Sequence, residues 1–530
     1  MYHTYSVEMA VPEEIRKVKR PKGTVVCEGR NGVYPVREKI SGGYYVDSEG
    51  KRHRPSRNGK VVGHIVDMKF VEREMPQLTS VAMGEVELKS WGDVELTHRL
   101  NKDLLDHLKV RYIENEAVMI YVMAILTANN EGISYRLMQR EYEESFLTEI
   151  LPPVNLKRNN VSTFLRNVGR NVSRINGFMI SRVECVEDDE HVIIDGSLRQ
   201  DHSRVNSLSE VSRKTALRGH QEVLLMYAYS MERREPICSK VYPGNMADRT
   251  AVEDFVREFE IVNGIIVADK GFPPESIQDH VRRNPGLHYI LPLKRNRKVI
   301  DDLGMYAYDA RLGNESGIQC RKACLEENGE RRWYYSFRDP VIASDQEMIY
   351  MSSHIGEDFD ADDLNSRRRE FGTLVFESDL DLESGTVYEI YNSRWLIEIF
   401  FRTQETGMDL DTTDVHSDYS VIADNFVKYL ASLMVSRNLR YFDDLGLLND
   451  NTYGDLMRVL RRMKMTRTSV GDGWRLNKVA KTDAELVEKI GILKRPIVPK
   501  VPAKRGRPVG SKDRQPRHRR TKDEIEASKS

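Results

Sequence analysis

His191-Val192-Ile193-Ile194-Asp195-Gly196-Ser197 is a short apolar run that ends in an acidic residue and a turn-prone pair. Its β-branched residues and length suit a strand buried on both faces. Gly264-Ile265-Ile266-Val267-Ala268-Asp269-Lys270-Gly271 repeats the pattern. Between the two lie strand-like runs at Val223 to Ser230 and Pro236 to Val241, the turn Tyr242-Pro243-Gly244-Asn245, and a helical stretch. In that stretch Asp248 is placed to cap and Val252, Phe255, Val256 and Phe259 share one face. A helix near 274–283 then leads to a strand at Leu287 to Leu293. This order predicts a mixed α/β sheet with Asp195 and Asp269 at strand ends, where α/β folds place their sites.

Outward from this core, residues 296–385 are less regular, with strand-like runs at Trp333 to Phe337, Met348 to Met351 and Phe371 to Phe376. They read as a mostly β insertion. Strong helical patterns follow at about Thr386 to Thr406 and Ile422 to Tyr441. On the first of these helices Tyr391, Arg394 and Glu398 are spaced i, i+3, i+7, which places them within a stripe roughly 60° wide. Taken alone, that stripe is also what an amphipathic helix with an i,i+4 ion pair looks like. Beside Asp195 and Asp269 it gains a different meaning. Three carboxylates from two strand ends and a helix supply the hard oxygen ligands that a pair of Mg²⁺ ions takes in phosphoryl transfer.

These segments together resemble the DDE transposases of cut-and-paste insertion sequences. The matching pieces are Asp195-Gly196-Ser197, Tyr242 to Asn245 with Asp248, Ile266 to Phe272, and Tyr391-x2-Arg394-x3-Glu398. Insertion-sequence family four is the nearest group, and it has an RNase H-like core interrupted by a β-rich insertion. The resemblance spans about residues 185–440. It implies that Asp195, Asp269 and Glu398 are the catalytic and metal-holding triad for two Mg²⁺, with Mn²⁺ able to substitute. It also implies that Tyr391 and Arg394 grip phosphates, with Lys270 beside them. In the family pattern six residues separate the Glu from a Lys, and this chain has Glu405 at that position; Arg402, one turn after Glu398, is placed to restore the charge.

The termini carry a second signal. Residues 15–60 hold 13 Lys+Arg against 4 Asp+Glu, and residues 494–530 hold the same numbers, so each end is +9 in a chain of net charge −1. Basic arms on an acidic body suit a polyanion, although plain solubility charge gives a similar profile. The first 90 residues read as a basic β-hairpin unit that either lies along DNA or presents a charged edge against aggregation. Residues 91–182 read as a helical domain in which Lys157-Arg158-Asn159-Asn160 begins a polar helix, in helix-turn-helix style or as an ordinary bundle element. A C-terminal helical segment is expected at 446–493. In the Pro-rich tail, Lys504-Arg505-Gly506-Arg507-Pro508 resembles an AT-hook, which would send Arg505 and Arg507 into a minor groove.

Length and composition exclude other classes. At 530 residues, with 40% hydrophobic and 31% charged, the chain is folded and built of several units. The longest apolar run, Ala117 to Leu126, is about half of the ~20 residues a bilayer span needs. Five scattered cysteines point to reduced thiols and not to a zinc site. The expectation is a cytoplasmic, nucleoid-associated transposase that binds the ends of its element, cuts them and joins them to target DNA as a homodimer on paired ends. The alternatives are a DNA-binding protein that has lost catalysis, and an RNase H-like nuclease that cuts without joining.

Overall fold

The structure, a computed structural model, describes residues 11–29, 32–47, 50–54, 56–72, 86–203, 205–212, 220–269, 272, 274–313, 317–327, 329–354, 360–410, 412–413, 415–468 and 473–493. Lys270, Arg505 and Arg507 lie outside these residues, as does the whole AT-hook-like tail. The chain divides into two units, Met1–Val86 and Glu87–Ser530.

The first unit has a short helix α1 (Glu13–Arg16) and a four-stranded antiparallel sheet in the order β1 (Thr24–Val26), β2 (Tyr34–Ser41), β5 (Ser56–Val66), β6 (Lys69–Glu72). A two-stranded hairpin, β3 (Tyr45–Val46) and β4 (Arg52–His53), lies between β2 and β5 in the chain. Its core is small: Val26, Val36 and Ile65.

The second unit opens with β7 (Glu87–Ser90) and the helices α2 (Gly92–Arg111), α3 (Glu114–Asn129), α4 (Met138–Glu143), α5 (Leu147–Ile150), α6 (Arg158–Arg170) and α7 (Val172–Val183). Residues Ala117 to Asn129 of α3 are buried all round, so the longest apolar run of the chain is a central core helix. No helix of the described residues is long and apolar enough to cross a membrane.

The sheet then forms from β8 (His191–Asp201), β9 (Glu222–Ser230), β10 (Glu235–Pro243), β11 (Gly264–Ala268) and β12 (Leu287–Pro292), with α8 (Asp248–Glu258) and α9 (Gln278–Arg283) between them. Its order is β10-β9-β8-β11-β12, antiparallel on the β9 side and parallel on the β11 side. The mixed sheet read from the sequence is therefore present. Asp248 does not cap α8: Ala247 holds the cap position, and Asp248 is the first helical residue, where its charge still favours the helix dipole.

The insertion extends this sheet. After α10 (Lys298–Asp302) come β13 (Ala310–Arg311), β14 (Gln319–Glu327), β15 (Glu330–Arg338), α11 (Pro340–Ser353), α12 (Ala361–Arg368) and β16 (Thr373–Ser378). Antiparallel β16 pairs with β12 and continues the order through β15, β14 and β13. The buried Glu377 of β16 accepts from Tyr289 (2.7 Å), Gln278 (2.8 Å) and Tyr334 (3.2 Å), which stitches the insertion to β12 and α9. Met348 to Met351, expected as a strand, lies in α11. Asp339 starts that helix by accepting from the Val341 N–H at 2.8 Å, and Pro340 sits in the first turn where it costs no hydrogen bond.

The remaining α-helices are α13 (Ser384–Asn392), α14 (Trp395–Arg402), α15 (Asp418–Asp444), α16 (Tyr453–Arg461) and α17 (Lys481–Lys489), with β17 (Thr412–Thr413) pairing parallel to the far end of β8. One continuous apolar cluster takes in α2, α3, α6, α7, the sheet and α15. The buried Glu235 of β10 ties three of these elements together through Arg182 of α7 (2.6 Å) and Arg437 of α15 (2.9 Å).

Candidate active site

The two aspartates come together because of strand register. β11 runs parallel to β8, and its last paired residue, Ala268, lies opposite Ile194. Asp269 and Asp195 are therefore the next residues on adjacent parallel strands. Asp195 is not at the end of its strand, since β8 continues to Asp201 by pairing with β9. What ends there is β11, which opens one edge of β8 beside Asp195.

Glu398 arrives on α14. Ile397 and Phe400 of this helix are buried, and Phe400 packs against Tyr227 (5.2 Å) and Tyr229 (5.3 Å) of β9. Burying each such side chain contributes about 1.5–3 kcal/mol, which fixes the rotation of the helix and leaves Glu398 in solvent contact. Tyr391, Arg394 and Glu398 do not share one unbroken helix, as their spacing suggested. Tyr391 belongs to α13, Arg394 is the N-cap of α14, and the joint at Ser393 makes i→i−3 bonds. The Ser393 hydroxyl donates to the Glu389 carbonyl at 2.9 Å, a back-bond that bends helices.

The joint places Arg394 at the centre of the site. Its guanidinium reaches Glu398 at 3.0 Å, Asp195 at 3.5 Å and Asp269 at 3.9 Å. Arg394 and Asp195 are each under one-fifth exposed, whereas Asp269 and Glu398 are about half exposed. The Asp195 carboxylate also accepts from the Gly196 N–H at 2.8 Å. Tyr391 stands against Phe376 (4.5 Å) and beneath Arg394 (5.7 Å). Burial pushes its hydroxyl above the usual tyrosine range, Arg394 opposes that shift, and Asp269 adds to it.

Five of the expected site residues thus meet: Asp195, Asp269, Glu398, Tyr391 and Arg394. Arg402 is exposed at the end of α14 and forms no ion pair with the carboxylates among the described residues. Glu405 is exposed on a π-helical turn, Thr403–Gly407, that follows α14. The same turn buries Gln404, which donates to Tyr227 (3.1 Å) and Ser432 (2.8 Å) and so anchors α14 to the sheet and to α15. Sequence reasoning passed over Gln404, because a π-turn has no composition signal and a polar residue after Arg402 reads as surface.

The turn Tyr242-Pro243-Gly244-Asn245 is a packing device in the fold. Tyr242 is buried and donates to Asp254 of α8 at 2.9 Å, and a Cβ on Gly244 would stand 2.1 Å from the Glu222 carbonyl oxygen. Among the described residues no three His, Cys, Asp or Glu side chains are grouped closely enough to hold one ion. The chemistry of the donor set nevertheless suits a hard divalent ion: three carboxylates converge, and they already converge on a cation, Arg394.

Residues 187–434 match the family model of the transposase DDE domain. This match supports a DDE transposase, and the matched residues hold all five members of the cluster. A solved cryo-EM structure of the piggyBac transposase synaptic complex with hairpin DNA aligns at 11% identity and a TM-score of 0.38, covering 70% of this chain and 79% of that one. No curated protein matches the sequence.

Proposed function

We propose that this chain is a DNA transposase of the cut-and-paste insertion-sequence type, nearest to family four. It would bind the ends of its element, cut them by divalent-ion-dependent phosphodiester hydrolysis and join them to target DNA. The observation that carries this reading is the convergence of Asp195, Asp269 and Glu398, from three separate segments, on one guanidinium. Asp195 would contact both of two Mg²⁺ ions, and Asp269 and Glu398 one each. When bound, such ions activate a water nucleophile and balance charge on the attacking and leaving oxygens.

The chain's own residues supply the rest. Arg394 is forked and held by its partners, a geometry suited to a phosphate oxygen once DNA enters. Tyr391 gives it a ring to rest on and a hydroxyl that stays protonated, hence a donor. Two strands must be held during joining, so the working form is a homodimer on paired ends.

The test is cleavage of labelled DNA carrying the sequences that flank this gene, with Mg²⁺ or Mn²⁺, by the parent and by Asp269→Asn. Cuts at the element boundary by the parent alone are expected, with joining to a target duplex separating a transposase from an RNase H-like nuclease. Binding without cutting by either protein would favour the second reading, a DNA-binding protein that has lost catalysis. Exposed Glu405, where the resembled family has Lys, favours that reading.

A further inference from the structure

Beyond Val36 the strands β2 and β5 leave the small core of the N-terminal unit. Val36 and Ile65 are fully buried, but Glu38 to Ser41 of β2 and Ser56 to Asn58 of β5 are exposed, inward and outward pleat positions alike. All four residues of β3 and β4 are exposed too. A two-stranded ribbon bare on both faces is marginal in water and adds nothing to a core. This one also displays large apolar side chains: Tyr44 is 70% exposed, Tyr45 55% and Val46 58%.

The tip is ordered by its own contacts. Tyr45 stacks on His53 at 5.4 Å with their planes 24° apart, Asp47 accepts from the Lys51 N–H at 2.9 Å, and Asp47 also pairs with His53. Arg54 lies over the Tyr44 ring at 5.1 Å while its Nε donates to the Gly42 carbonyl at 3.3 Å. That arrangement holds the guanidinium, and among the described residues its terminal amino groups donate no hydrogen bond. Residues 37–60 carry seven Lys+Arg against three Asp+Glu. The charge selects a polyanion, and the shape selects among polyanions. A major groove about 12 Å wide admits a two-stranded ribbon, whereas a minor groove of about 6 Å does not.

We infer that the described residues of 37–60 form a β-arm that enters the major groove of duplex DNA, with Arg54 directed at guanine edges and Lys39, Arg57 and Lys60 on phosphates. Arginine is suited to the first task because its fork matches the O6 and N7 acceptors of guanine. Beyond the β1 pairing at Arg37 and Glu38, the two-stranded stretch Lys39 to Ser41 spans about 10 Å at about 3.3 Å per residue, and the hairpin β3–β4 follows it in the chain. This inference rests on the transposase reading, since it names the part of the chain that reads the element end.

The experiment uses the full chain carrying Asp269→Asn, so that DNA is bound without being cut, and measures anisotropy with a flanking-sequence duplex, a scrambled duplex and a single strand. Arg54→Ala should weaken the flanking duplex by about tenfold or more and the scrambled one far less. Arg54→Lys keeps the charge and should lose the preference while retaining scrambled-duplex binding. Methylating guanine N7 in the flanking duplex should weaken the parent and leave Arg54→Ala unaffected. Equal losses on both duplexes, unchanged binding by both variants, or a single strand that competes as well as duplex would overturn the groove assignment alone. A parent that binds no duplex at all would overturn the transposase reading with it.

Discussion

Arg394→Gln tests whether the carboxylates are held together by the guanidinium, without reference to cutting. Three ion pairs are removed, at 3.0, 3.5 and 3.9 Å. A pair at 4 Å is worth about 1 kcal/mol in bulk water and about 4 kcal/mol at the effective dielectric of a protein surface, before desolvation is subtracted. Asp269 and Glu398 are about half exposed, so their two pairs fall in the range of surface bridges, roughly 0.2–1 kcal/mol each. Asp195 is 19% exposed and its pair contributes somewhat more. The expected loss is about 1–3 kcal/mol, a fall in Tm of a few degrees, since the roughly 2–4 °C per kcal/mol of smaller domains shrinks in a unit as long as Glu87–Ser530. The three carboxylates then repel one another without a counter-charge, and a divalent ion should bind the variant more tightly and raise its Tm more than it raises the parent's. Scanning fluorimetry across a Mn²⁺ titration reads both effects. A variant whose Tm stays within a degree of the parent's, with the same response to Mn²⁺, would refute the idea that Arg394 holds the triad.

Three further outcomes are expected. Glu235→Gln leaves buried Arg182 without its counter-charge and Arg437 with exposed Asp103 alone, and urea unfolding should show a loss of about 3–5 kcal/mol at neutral pH. Burial alone would raise the Glu235 pKa, but Arg182 and Arg437 outweigh it and hold the carboxyl below its usual range. Its contribution is therefore fully present above the unfolded value of about 4.3 and disappears only as pH falls through the lower folded value, so parent and variant should converge in acid. Gly244→Ala forces a Cβ to within 2.1 Å of a backbone oxygen, and soluble yield and Tm should both fall, whereas Asn245→Ala should be tolerated. Glu405→Lys, on an exposed turn, should tighten binding to flanking DNA and steepen its dependence on log salt by about 0.9 if the new charge meets a phosphate.

The sheet was legible because its strands are buried on both faces and bounded by turns, so the periodicity of His191 to Ile194 and Gly264 to Ala268 admits little else. The helix α11 was misread because Met348 to Met351 resembles a strand until Asp339 and Pro340 are recognised as a helix start nine residues upstream. Convergence of the triad was legible only as an expectation. No spacing in the chain states that Ala268 faces Ile194, and that register is what makes Asp195 and Asp269 neighbours. The break between α13 and α14 was hidden as well, since a Tyr-x2-Arg-x3-Glu pattern looks the same on an unbroken helix and an interrupted one.

The break nevertheless bears on where Arg394 sits. In an uninterrupted helix Arg394 would be one more mid-helix residue with an i,i+4 partner in Glu398. As the N-cap of α14, at the turn where two helices meet, it reaches Asp195 and Asp269 as well. The joint keeps backbone hydrogen bonds of 2.9–3.1 Å and is held by the Ser393 back-bond and by the anchors on either side, Tyr391 against Phe376 and Gln404 against Tyr227 and Ser432. On the proposed function, Arg394 would turn at this joint from the carboxylates to a phosphate, neutralising the three carboxylates before DNA arrives and gripping the DNA afterwards.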